Sequence, residues 1–261
     1  MHPALWVSKT GLSAQDTAMT TTSNNLANVN TTGFKRDRAV FEDLLYQVKR
    51  QPGGLTSQNS ELPSGLQVGT GVRVVGTAKE FTQGNLQITE QPLDMAINGR
   101  GFFQVLMPDG NISYTRDGQF QLNSEGDVVT ANGHLLEPGI NVPNNTTSIT
   151  IGTDGTVSAV VDNQADPVEL GQITLVDFVN PQGLQAIGNN LFRETNASGD
   201  PLEGEAGIAG MGGIEQGSIE GSNVEVVEEL VNMITTQRAY EMNSKVVSAA
   251  DQMLQYINNN L

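Results

Sequence analysis

Apolar residues recur seven apart near the start of the chain, at Leu5, Leu12, Met19 and Leu26. That spacing draws one narrow stripe along a helix over residues 4–28, and Ala4, Ala14 and Ala18 widen it. The flank from Thr20 to Asn25 is poor helix material. At about 0.5 kcal/mol per residue relative to alanine, those six positions cost roughly 3 kcal/mol. A lone helix of this kind is unstable in water and needs partners along its length. At the other end, Ser222-Asn223 offers an N-cap, and Glu225, Glu228 and Glu229 suit the positive end of a helix. Val227, Leu230, Val231 and Ile234 then follow at helical spacing, and a second run takes in Ala239, Met242, Val246, Ala249, Met253 and Tyr256. The step from Ile234 to Ala239 breaks the heptad register, so the seam drifts or changes partner there. Neither Pro nor Gly interrupts residues 222–257, which predicts a helix of about 34 residues, roughly 50 Å long. The economical arrangement packs the two ends on each other. Leftover side chains such as Val231 and Met233 are then covered by the chain's own middle or by other copies, and the acidic, β-like middle favours copies.

Between the ends the pattern changes. Residues 46–78 carry turn chemistry at Gln51-Pro52-Gly53-Gly54, Leu62-Pro63-Ser64-Gly65 and Gly69-Thr70-Gly71. This stretch is long for a loop, and long ordered loops are usually functional; the alternative is a flexible linker. From 80 to 220, short apolar runs alternate with turns at Asp109-Gly110, Asp117-Gly118, Glu125-Gly126, Asn132-Gly133 and Asp154-Gly155, the signature of β-hairpins. Residues 196–217 are rich in glycine and show little periodicity. The expected class is α+β, with paired terminal helices from 1–45 and 218–261, an extended connector over 46–78 and a β domain over 79–217.

Charge sharpens this division. Residues 1–50 hold six basic against four acidic side chains, whereas 80–229 hold only Arg100, Arg116 and Arg193 against 22 acidic ones. An acidic middle repels nucleic-acid phosphates and anionic lipid, so neither nucleic acid binding nor membrane insertion is expected. The belt is either a solvated face, or an acidic surface that meets the basic stretch near residues 35–50 of a neighbour. No run approaches the roughly 20 apolar residues of a membrane helix. Polar residues after Met1–Trp6 argue against a secretory signal, leaving the cytosol or an export route without a cleaved leader.

Candidate chemistry is sparse. The chain has no cysteine and only His2 and His134, which leaves no nucleophile–base pair and only a weak zinc set. The Asp-Gly turns lack the Asp-x-Asp-x-Asp-Gly calcium loop. Gly69-Thr70-Gly71 lacks the third glycine and following helix of a dinucleotide site. No catalytic residue, cofactor or metal is expected.

Three blocks carry a resemblance. Asn24-Asn25-Leu26-Ala27-Asn28-Val29-Asn30-Thr31-Thr32-Gly33-Phe34-Lys35-Arg36, the middle motifs Gly99–Val105 and Tyr114–Phe120, and Ser222–Val231 continuing to Gln237–Asn243 together resemble the bacterial flagellar rod and hook family, in the right order along the whole chain. The signature makes physical sense. Asn24, Asn25 and Asn28 can bond backbone groups and end a helix, Gly33 permits a left-handed stop, and Phe34 anchors the chain after it. The connector, with Pro52, Gly53, Pro63 and Gly65, resembles that of straight-rod members. Hook members are longer, and the smaller rod members lack most of the β domain.

The resemblance implies a helical homopolymer crossing the periplasm and transmitting torque, with the terminal helices as inner tube and the β domain outside. It also implies export by the flagellar type III apparatus, contacts with proximal rod proteins, the hook protein and the surrounding ring proteins, and a connector lying between neighbouring subunits. Two other classes stand beside it on residue chemistry alone. One is a β-domain binding module dimerised by its helices; the other, a glycan-acting enzyme, lacks an acid–base grouping.

Overall fold

The computed structural model describes residues 3–51, 55–57, 60–61, 64–162, 166–208 and 210–259. They form an α+β protein that divides into two compact units. The first unit comprises the chain up to Ala27, Asp37–Ala78 and the chain from Glu225. It contains helix α1, Pro3–Ala27, and helix α2, Val226–Asn259, of 34 residues. The two helices pack on each other.

Residues 37–43, downstream of α1, are a strand paired with Val72–Lys79. Within 46–78, Tyr46–Arg50 and Leu66–Gly69 form an antiparallel ribbon, so much of this stretch is laddered and not a bare loop. The strands lack a buried face to impose alternation, and every residue of Tyr46–Arg50 is exposed. Pro52, Gly53 and Pro63 lie outside the described residues; Gly65 immediately precedes the second strand of the ribbon.

The second unit comprises Asn28–Arg36 and Lys79–Val224. Its largest sheet has seven antiparallel strands in the order Phe120–Leu122, Val128–Thr130, Leu135–Glu137, Phe103–Leu106, Ile112–Thr115, Leu191–Arg193, Gln185–Gly188. A three-stranded sheet, Thr146–Ile151, Thr156–Val161 and Val168–Gln172, and several two-stranded ribbons complete the unit. Met95, Ile97, Phe103, Phe120, Leu136, Val157, Ile173 and Leu175 belong to one core. A smaller aromatic core gathers Phe102, Tyr114, Phe178 and Phe192, with edge-to-face contacts at centroid distances of 4.8–6.1 Å, the geometry that aromatic quadrupoles favour.

Four of the five expected hairpin turns are closed by a glycine in the left-handed region, at Gly110, Gly126, Gly133 and Gly155. Asp117-Gly118 is different. Gly118 is not left-handed; a side chain there would collide with the Met95 carbonyl, and its own carbonyl accepts from Met95 N–H at 2.9 Å. Glycine serves close approach there, not a turn. The glycine-rich stretch 196–217 contains the strands Leu202–Glu205 and Gly213–Gln216. Their ladders are set by the partners Thr174–Asp177 and Met95–Asn98 and not by a pattern of their own.

Turn carboxylates give the β unit an acid dependence. The Asn111 side chain holds Asp109 below the usual carboxylate range, Asn141 and Asn123 do the same for Asp127, and the Thr156 backbone and hydroxyl for Asp154. A carboxylate depressed in the folded state stabilises it above the unfolded value of about 4, and that stabilisation is lost as pH falls through the folded value. Burial pushes Asp117 the opposite way, so its protonation offsets part of the loss. The urea midpoint, followed by near-ultraviolet circular dichroism, is therefore expected to fall between pH 5 and pH 3 by a smaller amount in Asp127→Asn than in the parent. An unchanged difference would show that this turn carries no linkage.

Candidate functional site: an assembly surface

Small and polar residues are prominent where the two helices meet, with the apolar stripe of α1 partly covered beside them. Among the described residues of α1, the buried ones are Ser8, Ala14, Thr22 and Asn25, while Leu5, Leu12, Met19 and Leu26 are only half-buried. On α2 the inward positions are Glu229, Asn232, Thr236, Ala239, Asn243, Val247 and Ala250, in steps of three and four. Small residues let two helix backbones come close. At Gly11 an added Cβ would stand 3.1 Å from the Asn243 amide nitrogen. Asn25, 1% exposed, reaches Glu229 Oε2 at 3.4 Å.

The apolar positions of α2 point elsewhere. Val227 is 67% exposed, Leu230 42%, Val231 54% and Ile234 48%. At about 100° per residue, Val227, Val231 and Ile234 fall on the side of the helix away from Glu229. Met242, Val246 and Met253 are also exposed, displaced round the helix as the break in register requires. Fully covering one such side chain is worth about 1.5–3 kcal/mol, so half-covered ones each leave about 1 kcal/mol to be gained from a partner. The connector ribbon adds Leu45, Tyr46, Val48 and Leu66, each more than half exposed. A two-stranded ribbon is marginal alone.

The signature segment divides its labour. Asn25 donates from its amide to Asp37 O at 2.8 Å and accepts from Asp37 N–H at 2.9 Å, copying a strand pairing where the chain returns from the loop. Asn24 lies exposed on the last turn of α1. The Asn28 side chain accepts from the Thr31 hydroxyl at 3.1 Å. Gly33 is left-handed, with φ +69°, but it is not the helix stop, because α1 ends at Ala27. Its role is close packing: a Cβ there would stand 2.6 Å from Asp117 N. Gly33 N–H donates to Glu220 O at 2.8 Å, and Asn190, itself left-handed, donates to Thr32 O at 2.9 Å. Lys79 Nζ lies 5.4 Å from the centroid of the half-buried Phe34 ring.

A buried ion cluster fastens this strap. Lys35 Nζ donates to Glu220 Oε1 at 2.6 Å and to Thr82 O at 2.7 Å, and Arg116 Nη1 lies 3.1 Å from Glu220 Oε2. Gly84 N–H completes the carboxylate's partners, and Arg116 Nη2 donates to Gly99 O. Burial pulls the Lys35 ammonium and the Arg116 guanidinium below their ordinary values, with Glu220 opposing both. Lys35 is thus paired inside its own chain and is not a basic residue offered to a neighbour. The expected helix cap is reassigned too: Asn223 accepts from Arg36 N–H and donates to Glu80 O, while α2 opens with Glu229 N–H on Glu225 O. Sequence reasoning missed Arg116 and Glu220 because nothing local marks a cation and a carboxylate 104 residues apart as partners.

Among the described residues, no group of three His, Cys, Asp or Glu side chains could hold a metal ion, and no helix is long and apolar enough to cross a membrane.

Comparison with known proteins agrees with this layout. The family model for flagella basal body rod proteins matches residues 5–35, that for the D1 domain of flagellar hook protein FlgE/F/G matches 96–159, and that for the C-terminal part of flagellar basal body rod FlgEFG proteins matches 215–260. The chain is similar to the flagellar basal-body rod protein FlgG of Buchnera aphidicola subsp. Acyrthosiphon pisum, 58% identical with 98% of each chain covered. It is 47% identical to the FlgG of Borreliella burgdorferi over 99% of this chain and 98% of that one. With the FlgG of Bacillus subtilis it shares 35% identity over 99% of both.

Removing one partner from a buried ion cluster costs about 3–5 kcal/mol. Glu220→Ala strands two cations and is expected to lower stability by that amount, whereas Lys35→Met leaves the Arg116–Glu220 pair intact and costs less; urea unfolding would rank them, and the reverse order would refute the cluster's role. Gly33→Val, strained at positive φ and pressed on backbone, is expected to cost more than about 2 kcal/mol and to impair polymer formation, checked by unfolding and electron microscopy.

Proposed function

The chain belongs to the FlgG family of flagellar basal-body rod proteins, and on that premise we propose that its exposed terminal-helix stripes are the surfaces through which copies join into the rod. It is a structural subunit that self-assembles and transmits torque from the motor to the hook. The observation that carries the reading is the exposure of Val227, Leu230, Val231 and Ile234 on a helix whose opposite face is already occupied by α1. A dimer of two helix pairs would cover one such patch per chain; the further exposed positions Met242, Val246 and Met253, displaced round the helix, call for more neighbours, which a tube supplies.

In this reading the subunit works in the flagellar basal body with other rod and hook components. Its finer place is the distal rod, a straight helical tube spanning the periplasm, with proximal rod proteins at one end, the hook protein at the other and ring proteins around it. The paired helices line the inner tube. The ribbon bearing Tyr46, Val48 and Leu66 lies between neighbouring copies, which cover its apolar side chains and stiffen the tube. Delivery is by the flagellar export apparatus without a cleaved leader. Because α1 carries six weak helix formers in a row, its helix gains most of its stability from packing, and folding of the two ends is coupled to assembly.

Val231→Asp with Ile234→Asp is expected to abolish polymers by electron microscopy and sedimentation while near-ultraviolet circular dichroism of the β unit stays unchanged. Far-ultraviolet spectra of dilute parent protein should show less helix than the polymer. Polymers from the double variant at parental concentration would defeat the assignment of this face.

A further inference from the structure

Sulfur is distributed unevenly over this protein. The chain has no cysteine and eight methionines, so thioethers are its only sulfur nucleophiles. Met95 is 1% exposed, in the core of the β unit. Met19, Met107, Met211 and Met233 are half-buried. Among the described methionines only Met242 and Met253 are open, 62% and 57% exposed, and both lie on α2. At about 100° per residue, eleven residues bring the helix back to within roughly 20° of its starting direction. The two residues therefore share one face, about 16 Å apart along the axis. Val246 and Ala249 lie between them and Tyr256 follows, all three exposed. The inward positions Ala239, Asn243, Val247 and Ala250 sit about a quarter turn away, so the stripe runs beside the α1 contact and stays uncovered by it.

A thioether reacts without first losing a proton. Its lone pair attacks one oxygen of a hydroperoxide and the O–O bond breaks. The sulfur is oxidised to the sulfoxide, and the peroxide is reduced to an alcohol, or to water when it is hydrogen peroxide. The new side chain is polar and chiral. Neither Val246 nor Ala249 beside it has a side-chain donor to offer the oxygen. Two thiols reverse the change, yielding the thioether, a disulfide and water, a reaction that methionine sulfoxide reductases catalyse.

We propose that Met242 and Met253 form a redox modification site that makes assembly conditional on the state of sulfur: a hydroperoxide oxidises them in the free subunit, the sulfoxides keep the stripe out of its seam, and burial in the polymer protects them. The inference rests on the reading of this stripe as an assembly surface and adds its regulation. Burying a polar group without a partner is unfavourable enough to weaken a seam about tenfold or more per sulfoxide. Oxidised subunits are thereby kept out of the rod until they are reduced, while finished polymer resists the same oxidant.

Arg238 and Lys245 place the two methionines in separate tryptic peptides, so each is followed alone. Full-length protein is treated with dilute hydrogen peroxide, once as free subunit and once as polymer, and oxygen uptake is read by peptide mass spectrometry. In the free subunit Met242 and Met253 are expected to oxidise before Met19, Met107, Met211 and Met233, with Met95 last. The critical concentration should then rise about tenfold or more and return after treatment with a sulfoxide reductase and dithiol. In the polymer both sulfurs should react several times more slowly. Met242→Leu with Met253→Leu keeps volume and apolar character and is expected to polymerise as the parent does, before and after peroxide. Oxidised parent that assembles at the untreated critical concentration would overturn the proposal. So would a leucine variant as sensitive to peroxide as the parent, or equal oxidation rates in subunit and polymer; each of these results leaves the assembly reading standing. If the leucine variant does not polymerise, the order of oxidation and the protection in the parent decide. Untreated parent that forms no polymer would remove that reading, and the proposal with it.

Discussion

Close approach of α1 and α2 is the constraint from which the exposed face of α2 follows. Two helices meeting at Gly11 and Asn243, with Asn25 against Glu229, bring small and polar side chains together and leave the α1 stripe of Leu5, Leu12, Met19 and Leu26 partly covered. The pair therefore spends its inward faces on Ser8, Ala14, Thr22, Ala239 and Ala250, and Val227, Leu230, Val231 and Ile234 turn outward. A polar contact at a helix seam fixes register at some cost in stability. An apolar one would be stronger but would leave nothing for neighbouring copies. The division leaves Val227, Leu230, Val231 and Ile234 of α2 exposed.

Glu220 plays the corresponding part in the β unit. Its carboxylate receives Lys35, Arg116 and Gly84 N–H, and its backbone carbonyl receives Gly33 N–H. These groups come from three separate places in the chain besides Glu220 itself, so the cluster is complete only when the strap 28–36 has been laid down with the segments around Gly84, Arg116 and Glu220. Desolvating two cations for one carboxylate is expensive. Further partners offset part of that cost, Thr82 O for Lys35 and Gly99 O and the Phe102 ring for Arg116, although the buried Arg116 Nε finds none. Specific placement of the segment leaving α1 and the segment entering α2 is what the cluster contributes.

The asparagines illustrate how far residue chemistry alone reaches. Asn24, Asn25 and Asn28 were expected to bond backbone and end a helix, and α1 does stop at Ala27. Asn25 goes further, pairing with both backbone groups of Asp37, a partner twelve residues on that no local rule names. Gly33 is left-handed, as its place in the motif suggests, yet its position beyond the helix end gives it a different task, close packing on Arg116 and Asp117. Asn223 reads as a helix cap and instead holds Arg36, Glu80 and Thr82. In each case the side chain's capacity was legible and its partner was not.

Taken by itself, the sequence determined the two terminal helices, the β-rich middle, most of the hairpin turns and the family, because periodicity, turn glycines and motif order are local or linear properties. Tertiary structure alone decided which stripe of each helix faces inward, since burial depends on how near the second helix lies and not on hydrophobicity at a given spacing. It also decided the strands within 46–78 and 196–217, whose ladders are set by partners far along the chain, and the pairing of Lys35 and Arg116 with Glu220. A charge announces itself in a sequence; the one opposite it is found only when the chain has folded, because Coulomb attraction and desolvation act through space.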